Sequence, residues 1–491
     1  WQRLNYREFF FLSGADEHGA KIMRAAESAG KSVQEFVDQN TSFFKKLIKD
    51  LGVSTDDFIR TSDQKRHFPG AIELWEKLEA SGDIYKKNYI GLYCVGHEAF
   101  ITQKDLADGK CADHGVAPEK IEEENYFFRL SRFETELIAL ISSGRMRVFP
   151  DSRKNEMLAF LKNGLEDVSF SRPSKDISWG IPVPGDATQT MYVWCDALSN
   201  YITALGFGSD DLKKFKEFWP ADLHNIGKDI LRFHAIIWPA VLLSVGLPVP
   251  KGIFVHGFIN VGGQKMSKSI GNVIDPLDFI KRHGRDALRY YLLREISTFE
   301  DADFTEGRFV EVYNADLANG LGNYISRVAK MVEQYFDGVL VRPSIEELTA
   351  VPIKKRSSFF APGDEGTKME LISPPYLIDR IVWPAYRCAF ENYQLKQVLD
   401  IVWTLLGELD AYVQIYEPFK LVKTDPKKTK AVLWNLSYGV LSLGWMLKPF
   451  LPDTADKILN AFGAGSNSKE EWKEIRVKLD GPLFTRKENV N

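Results

Sequence analysis

Over about the first 300 residues, short apolar runs alternate with stretches of helical periodicity. The runs at residues 9–12, 223–226 and 253–255 have the length of strands buried in a parallel sheet. Residues 231–247 lie between the last two runs and have the pattern of a helix. A strand, a crossover helix and a second strand form the repeating unit of parallel sheets. The sequence therefore predicts an open α/β sheet.

From about residue 306 the pattern becomes helical. Apolar side chains recur there at spacings of three, four and seven, which is typical of one buried helix face. The clearest stripe consists of Leu395, Val398, Leu399, Val402, Leu405, Leu406, Leu409 and Val413. Residues 342–375 are instead rich in proline, glycine and charge, and we expect a long loop or linker there.

Composition excludes several classes of protein. Lys and Arg total 63 against 67 Asp and Glu, and the net charge of −4 excludes a globally basic nucleic-acid binder. No stretch approaches about 18 uninterrupted apolar residues, so we expect no membrane span. Four cysteines in 491 residues exclude a disulfide scaffold and favour a reducing compartment. Any contact with nucleic acid must therefore come from a local patch.

A basic loop introduced by glycines follows the apolar run at 253–255. Residues 262–269 read Gly-Gly-Gln-Lys-Met-Ser-Lys-Ser, which places Lys265 and Lys268 three residues apart with hydroxyl side chains beside them. Lysine ammonium groups and glycine-exposed N–H groups both bind phosphate oxygens. The pattern predicts an anion-binding loop, and a solvated surface loop is the alternative.

An insertion interrupts the α/β pattern at about residues 85–150. It contains Cys94 and His97, separated by two residues, and then Cys111 and His114 with the same separation. Two such pairs match the ligand spacing of a tetrahedral zinc knuckle. We therefore predict one structural Zn²⁺, and buried cysteines beside surface histidines are the alternative.

Several separate segments of the chain match one family. Residues 265–269 spell Lys-Met-Ser-Lys-Ser, and residues 16–19 spell Asp-Glu-His-Gly. Further matching segments follow one another at residues 192–201, 227–234, 314–319 and 322–327. In these motifs the chain resembles the class I aminoacyl-tRNA synthetases, and most closely the methionyl-tRNA synthetase family. The resemblance extends over most of the 491 residues.

The resemblance implies a ligase that joins L-methionine to tRNA(Met). The methionine carboxylate would attack the α-phosphate of ATP, in the presence of Mg²⁺, to give methionyl-adenylate and diphosphate. The tRNA terminal hydroxyl would then take the methionyl group. An ionised carboxylate needs no general base, so catalysis would consist of positioning and charge stabilisation. We expect a cytoplasmic monomer without a membrane segment, and a location in an organelle stays open.

The resemblance also implies a methionine site. Asp16 would pair with the α-ammonium group of methionine, and His18 would lie at the edge of the pocket. The walls of the pocket would be Trp194, Ala197, Tyr201, Ile230 and His234. The spacing of Trp194, Ala197 and Tyr201 places them on one helix face, and Ile230 and His234, four residues apart, share another. Aromatic walls suit a thioether because polarisable sulfur packs well at ring edges. An ordinary hydrophobic core is the alternative.

Three regions would bind ATP in this family. Gly227 and Asp229 would hold the adenosine and its ribose, and Arg172 would steady the triphosphate. The basic loop would contribute Lys265, Met266, Ser267, Lys268 and Ser269. The catalytic groups would be Lys265, Lys268 and Arg172, with Lys268 the most important.

The helical part resembles the anticodon-binding bundle of the family. Asn323 and Arg327, four residues apart on one helix face, match positions that contact the anticodon, and both side chains suit splayed-out base edges. Phe419 takes the place of a tryptophan on which an anticodon base stacks. A basic run could meet tRNA phosphates or form a solvated face, and it consists of Lys420, Lys423, Lys427, Lys428 and Lys430.

We therefore predict a Rossmann-like catalytic domain formed by residues 1–84 and 151–305. Residues 85–150 would be an inserted connective domain, and residues 306–491 an all-α anticodon-binding domain. Two other functions stay open. One is a synthetase for leucine, valine or isoleucine, although such an enzyme usually carries a much larger editing insertion. The other is a tRNA-binding relative without catalysis, although such a protein has no need of the loop and pocket residues.

Two further expectations concern the ATP cleft. The His-x-Gly-His element of the family does not occur in the 491 residues. We expect that a segment with this element precedes Trp1 and that the chain as written activates methionine weakly. We also expect the loops at Asp16 and Lys268 to face each other across a sheet edge and to clamp the amino acid against the nucleotide.

Overall fold

The computed structural model describes residues 1–94, 99–101, 106–112, 115–266, 271–354, 371–463 and 472–488. The chain forms two units, Trp1–His256 and Gly257–Asn491. Within the described ranges, no helix has the length and apolar character that crossing a membrane requires.

The first unit alternates short strands with helices. Its strands are β1 (Leu12–Ala15), β2 (Asp57–Arg60), β3 (Ile84–Cys94), β4 (Ala99–Ile101), β5 (Leu106–Ala107), β6 (Lys110–Cys111), β7 (Glu119–Phe128), β8 (Arg147–Phe149), β9 (Val168–Ser169), β10 (Ser171–Pro173), β11 (Pro182–Val183), β12 (Asp186–Met191), β13 (His224–Gly227) and β14 (Gly252–His256). Its α-helices are α1 (Ala20–Ser28), α2 (Val33–Asp50), α3 (Phe68–Ala80), α4 (Glu134–Ser142), α5 (Asp151–Lys162), α6 (Val193–Thr203), α7 (Lys213–Phe218) and α8 (Trp238–Ser244). The segment Phe233–Ile237 is a π-helix that leads directly into α8.

A parallel three-stranded sheet lies in this unit, with the strand order β13-β14-β8. The pairing of β13 with β14 begins at His224 opposite Ile253 and ends at Gly227 opposite His256. The π-helix and α8 form the crossover between these two strands. The predicted strand–helix–strand unit is therefore confirmed, as is the α/β class of this part of the chain.

A second parallel pair, β1 with β2, begins later than the sequence predicts. The strand expected at residues 9–12 is instead Leu12–Ala15, so that prediction was wrong in its bounds. The pairing depends on Gly14, since a β-carbon there would lie 2.8 Å from the backbone oxygen of Ile59. The preceding apolar run packs elsewhere, with the ring of Phe10 stacked on Phe218 at a centroid distance of 5.2 Å.

The inserted segment is built on a long antiparallel pairing of β3 with β7, which extends from Ile84 opposite Phe128 to Tyr93 opposite Glu119. The next strand, β8, already belongs to the parallel sheet. The parallel sheet is thus reached before residue 150, where the sequence places the end of the insertion. The four-part division of the chain stays a prediction.

One large apolar core joins the inserted hairpin to the rest of the first unit. Trp75 from α3, Phe128 from β7, Phe170 from the turn before β10 and Trp238 from α8 are each 0% exposed. They belong to one continuous cluster of packed side chains. The strands and helices that carry the polar site residues are therefore fixed against a common core.

The second unit is mainly helical. Its α-helices are α9 (Pro276–His283), α10 (Arg285–Arg294), α11 (Glu306–Val312), α12 (Asn323–Phe336), α13 (Ile345–Thr349), α14 (Pro374–Leu377), α15 (Trp383–Glu391), α16 (Leu395–Tyr416), α17 (Pro418–Leu421), α18 (Pro426–Leu447) and α19 (Pro452–Ala461). Its strands are β15 (Ile259–Val261), β16 (Gln264–Lys265), β17 (Ala302–Asp303), β18 (Val339–Val341), β19 (Ile353–Lys354), β20 (Leu371–Ile372) and β21 (Glu474–Arg476). Two π-helices, Tyr313–Gly322 and Ile378–Val382, lead into α12 and α15.

The predicted apolar stripe is confirmed in α16, where its members from Val398 to Val413 are buried. The loop predicted at 342–375 is more ordered than expected in its described parts. It contains α13, which a Ser344–Glu347 capping box begins, and the pairing of β19 with β20. A capping box stabilises a short helix by satisfying its first N–H groups. Residues 355–370 of the predicted loop lie outside the described residues.

Candidate active site

Asp16 and His18 lie in the turn that follows β1, at the carboxyl end of that strand. The carboxyl ends of parallel strands are where open α/β sheets bind ligands. Asp16 is exposed, and its Oδ1 lies 3.5 Å from the backbone nitrogen of His18. The turn ends at Gly19, which has a φ of 101° and directly precedes α1. The structure therefore places the carboxylate of Asp16 at an accessible strand end, as the sequence predicts.

Glu17 lies between Asp16 and His18 in sequence, and its buried side chain fixes this turn through hydrogen bonds. Both of its carboxylate oxygens lie 2.9 Å from Nε of Arg60 at the end of β2. Thr41 and Ser62 donate further hydrogen bonds to the same carboxylate. A buried carboxylate needs such partners to offset the loss of water. Sequence reasoning missed this anchor because its partners lie on three separate elements.

His18 is tied to α6 by a buried carboxylate. Its Nδ1 lies 2.5 Å from Oδ2 of Asp196, and Nε2 of His67 lies 2.6 Å from the other oxygen of that carboxylate. Burial alone would raise the pKa of Asp196, but the two imidazoles lower it below its ordinary value. Asp196 is therefore ionised, and it joins the turn after β1 to the helix that carries Trp194.

The three predicted pocket residues on α6 form its half-open face. Trp194, Ala197 and Tyr201 are partly exposed, whereas most residues between them are buried. The spacings of three and four that place them together on a helix surface also separate them from the core-facing residues. Trp194 and Tyr201 also pack against the core of the first unit, so the assignment of this face to methionine stays a prediction.

The other two predicted pocket residues meet this face. His234 is 2% exposed and stands in the π-helix that follows Ile230. Its Nε2 lies 2.8 Å from the hydroxyl of Tyr201, and its Nδ1 lies 2.9 Å from the backbone oxygen of Ile230. The ring of Trp194 stands edge-on to that of His234, with centroids 6.2 Å apart. π-helical turns are frequent at functional sites.

The hydrogen bonds define the protonation state of His234. A backbone carbonyl only accepts, so Nδ1 carries the proton and Nε2 accepts from the hydroxyl of Tyr201. Burial lowers the pKa of His234 to about 4, and the bond to Ile230 raises it only in part. Burial also raises the pKa of Tyr201. The pair is thus neutral and fixed in one orientation, which suits an uncharged side chain as its ligand.

Two aromatic residues that sequence reasoning missed stack on these side chains. Phe233 stacks on Trp194 with centroids 3.9 Å apart and planes 10° from parallel. His224 stacks on Tyr201 at 3.9 Å, and burial together with His234 lowers the pKa of His224 well below its usual value. Phe233 could have been found from its position three residues after Ile230. No sequence signal marks a single histidine in β13.

Arg172 lies at a small recess that His18 and Trp179 also line. Its guanidinium packs over the rings of Tyr93 and Tyr192, each at 5.2 Å from the centroid. It also donates hydrogen bonds to Ser169 and to the backbone oxygen of Ser171. Arg172 is 4% exposed, so its position is set by stacking and burial. The structure places Arg172 near His18. The contact of Arg172 with the triphosphate stays a prediction.

Gly227 and Asp229 lie where β13 ends. A β-carbon on Gly227 would lie 2.8 Å from Oδ1 of Asp229 and 3.7 Å from the ring of His256. A larger residue at 227 would therefore displace the carboxylate of Asp229. The small residue and the carboxylate share one strand end, as their assignment to the adenosine requires.

The described part of the basic loop begins as a hairpin in the second unit. Gly262 and Gly263 have φ values of 64° and 72° and join β15 to β16. Both residues of such a tight turn need positive φ, which favours glycine. Lys265 is exposed, with its Nζ 4.3 Å from the centroid of the Phe258 ring, and Met266 follows it. Ser267, Lys268 and Ser269 lie outside the described residues.

The predicted metal ligands are only partly described. Cys94 and Cys111 are both buried and share a small apolar cluster with Ile101. His97 and His114 lie outside the described residues. In the part of the chain that the structure describes, no three His, Cys, Asp or Glu side chains are grouped so as to hold a metal ion. Two thiols in one cluster are a donor pair that suits zinc.

The predicted anticodon residues are accessible within the second unit. Asn323 is the first residue of α12 and is exposed, and Arg327 lies one turn later. Nη1 of Arg327 lies 3.1 Å from Oδ1 of Asp410 on α16. Phe419 on α17 is 43% exposed. Two lysines of the neighbouring basic run have acidic partners, since Lys420 and Lys427 lie 2.7 Å and 3.3 Å from glutamate oxygens.

Three comparisons with known proteins point to one family. A family model described as "tRNA synthetases class I (M)" matches residues 1–111 and 99–329. A methionine–tRNA ligase of Caldanaerobacter subterraneus is 40% identical over 481 residues, which are 98% of this chain and 71% of the relative. A methionine–tRNA ligase of Brucella melitensis is 39% identical over 99% of this chain and 92% of its own length. The methionyl-tRNA synthetase of Mycobacterium tuberculosis, solved with bound methionyl-adenylate, matches with a TM-score of 0.87 and 33% identity over 99% of this chain and 94% of that one.

Proposed function

The chain belongs to the methionyl-tRNA synthetases of class I, and we propose that its first unit holds methionine between α6 and the π-helix at Phe233–Ile237. It activates L-methionine with ATP to methionyl-adenylate and diphosphate and transfers the methionyl group to tRNA(Met). The observation that carries the proposed site is the half-open face of α6 opposite the neutral, doubly hydrogen-bonded ring of His234.

The pocket would select methionine by shape, polarisability and the absence of charge. The rings of Trp194 and Tyr201 offer their surfaces to the thioether, and His234 holds the hydroxyl of Tyr201 in place. Contacts of sulfur with aromatic rings contribute about 0.3–1.5 kcal/mol each. One methylene is distinguished by only about 1–3 kcal/mol in an apolar pocket. Several rigid walls are therefore needed to separate methionine from leucine or isoleucine.

The polar end of methionine would meet the turn after β1. Asp16 is exposed and lies two residues before His18. His18 is hydrogen-bonded to Asp196 on α6, which lies between Trp194 and Ala197 in sequence. A carboxylate there pairs with the α-ammonium group and leaves the α-carboxylate free to attack the α-phosphate. The reaction then needs no general base, and positioning supplies most of the rate.

ATP, taken up as its magnesium complex, would bind at the strand ends with Gly227 and Asp229 and at the loop that starts with Lys265. Gly227 has no side chain, so the nucleotide could approach the backbone closely there. A β-carbon at this position would already touch Asp229. Lys265, Lys268 and Arg172 would stabilise the charge that develops on the phosphates. The sequence-based expectation that the loops at Asp16 and Lys268 face each other across a sheet edge stays a prediction.

The helical unit would read the anticodon of tRNA(Met). Asn323 and Arg327 offer an amide and a guanidinium to base edges, and Phe419 offers an exposed ring for stacking. Single-stranded bases are recognised through such contacts. The basic run after Phe419 would add contacts to the phosphates.

We also propose that the inserted segment binds one structural zinc ion through Cys94, His97, Cys111 and His114. The two thiols in one cluster support this set. Elemental analysis of the freshly purified protein should find about one zinc per chain, and Cys94→Ser should lose it. Cys388→Ser is the matched control, because Cys388 is exposed and lies in the second unit. Zinc far below one per chain in the unmodified protein contradicts the site.

A cytoplasmic monomer is the proposed working state. Four cysteines in 491 residues favour a reducing compartment. Analytical ultracentrifugation at several protein concentrations tests this proposal. A monomer should show one molar mass, close to that of a single chain, at every concentration.

The activity is tested on the full-length protein by ATP–diphosphate exchange with methionine, leucine, isoleucine and valine, followed by charging of tRNA(Met). We expect exchange with methionine alone and charging of tRNA(Met). Exchange with another of these amino acids supports the rival synthetase. Binding of tRNA without any exchange supports the non-catalytic relative.

A further inference from the structure

Four buried polar side chains form a continuous chain behind the methionine pocket. Oγ1 of Thr203 lies 2.9 Å from Nδ1 of His67, whose Nε2 lies 2.6 Å from Asp196. The second carboxylate oxygen of Asp196 lies 2.5 Å from Nδ1 of His18. Thr203, His67, Asp196 and His18 are all at most 4% exposed. Hydrogen bonds between polar groups in a dry interior hold those groups rigidly.

This chain connects three elements of the first unit. His18 belongs to the turn after β1, two residues from Asp16. His67 directly precedes α3. Asp196 and Thr203 both belong to α6, whose open face carries Trp194 and Tyr201. The carboxylate of Asp196 is therefore the point at which the ammonium-binding turn and the side-chain pocket are held together.

We propose that Asp196 is a positioning residue of the methionine site, which fixes the turn of Asp16 and the ring of His18 relative to the walls on α6. Each carboxylate oxygen accepts one N–H, so His18 must carry its proton on Nδ1 and His67 on Nε2. Nε2 of His18 is then the ring nitrogen available to a molecule in the recess that this ring lines with Arg172. The inference rests on the proposed function, because it concerns how the same site holds methionine.

Stability alone does not explain a carboxylate at this position. Replacing a buried ionic group by apolar side chains of similar volume is often neutral or stabilising. A carboxylate differs from any apolar residue in that it fixes the tautomer and the orientation of both rings. The same arrangement orients ligand-binding histidines in metal sites, where a carboxylate bonded to the far nitrogen fixes the ring.

Asp196→Asn tests the proposal, because an amide has one oxygen and one NH₂ group and so only one ring can keep donating to it. In ATP–diphosphate exchange we expect the KM for methionine to rise about 10- to 100-fold, in line with the cost of a displacement near 1 Å. The KM for ATP should change less than about twofold. Active-site titration normalises kcat to the folded fraction, whereas KM does not depend on that fraction.

Asp83→Asn is the matched control. Asp83 is 2% exposed and also accepts side-chain bonds, from Arg132 and Ser244 at 2.7 Å each and from Ser81 at 3.3 Å, but none of these partners belongs to the site. Its loss should lower stability and leave the KM for methionine unchanged. An equal rise in KM in both variants, or no rise in Asp196→Asn, overturns the proposal.

A second measurement does not depend on the folding of Asp196→Asn. Nitrogen-15 spectra of the unmodified protein should show His18 protonated on Nδ1 and His67 on Nε2, and the opposite tautomer at His18 overturns the proposal. Thr203→Val removes only the hydroxyl at the far end of the chain and should raise the KM for methionine about two- to fivefold. If the unmodified protein shows no exchange with methionine, the proposed function itself fails, whereas normal exchange with the wrong tautomer refutes this inference alone.

Discussion

The proposed methionine pocket and the proposed anticodon positions hold their side chains in opposite ways. In the pocket, His234 is 2% exposed and both of its ring nitrogens are hydrogen-bonded to the protein. In the helical unit, Phe419 is 43% exposed and Asn323 is open to solvent. The proposed pocket is thus ordered by contacts within the protein, whereas the proposed anticodon positions present open surface that a ligand would have to cover.

The difference follows from the size of the two ligands. Methionine has few atoms, so it cannot supply the free energy to order and desolvate several side chains, and a preformed pocket removes that cost. An anticodon base brings a large flat surface, and stacking on an exposed ring is worth about 1–3 kcal/mol. Substitutions in the pocket should therefore change amino-acid activation, and substitutions in the helical unit only tRNA charging.

The largest effect is expected at Asp16. Asp16→Asn removes the charge that pairs with the α-ammonium group, and losing one partner of such a pair costs roughly 2–5 kcal/mol. We expect kcat/KM for methionine to fall about 30-fold or more in ATP–diphosphate exchange, with little change in the KM for ATP. An unchanged kcat/KM removes Asp16 from the site.

Phe419→Ala should lower kcat/KM for tRNA(Met) by about 5- to 150-fold, as the loss of one stacking contact implies. Diphosphate exchange should stay normal, because that reaction needs no tRNA. Phe419→Trp is the matched control, and it should charge tRNA(Met) at least as well as the unmodified protein. A loss of exchange in Phe419→Ala would contradict the separation of the two regions.

Acid should weaken the region around the pocket. The pKa of His234 is about 4 in the folded protein, below the usual value of 6.5 that applies when the chain is unfolded. The unfolded state therefore binds the proton first, and stability is lost as the pH falls from 6.5 towards 4. Between pH 7 and 5 this group alone should lower the free energy of unfolding by roughly 2 kcal/mol.

Urea unfolding at both pH values measures this effect, and His234→Gln should lose less stability between them than the unmodified protein. His283, in the second unit, has a pKa that burial lowers only modestly, so His283→Gln should change the pH dependence less. An equal pH dependence in His234→Gln and in the unmodified protein would show that His234 is not buried in its neutral form.

The smallest effect is expected from Tyr201→Phe, which removes only the hydrogen bond to His234. A single bond of this kind contributes about 0.5–1.5 kcal/mol. The KM for methionine should rise up to roughly tenfold, while tRNA binding stays the same. A change in tRNA affinity would argue against a pocket that is independent of the anticodon positions.

Periodicity and motif spacing predicted much of this molecule. The spacing of Trp194, Ala197 and Tyr201 placed them on one face of α6, and all three are partly exposed in the structure. Their contact with methionine stays a prediction. The bonds from Asp196 to His18 and His67 could not be predicted, because these residues are 178 and 129 positions apart in sequence. The position of β1 was also missed, since it depends on how closely Gly14 approaches the neighbouring strand.

The most direct test of the methionine site is a crystal structure of the full-length protein with a stable analogue of methionyl-adenylate. We predict that the thioether lies against the rings of Trp194 and Tyr201 and that the ammonium group contacts the carboxylate of Asp16. An analogue bound away from α6, or one whose ammonium group has no contact with the turn after β1, would contradict the account.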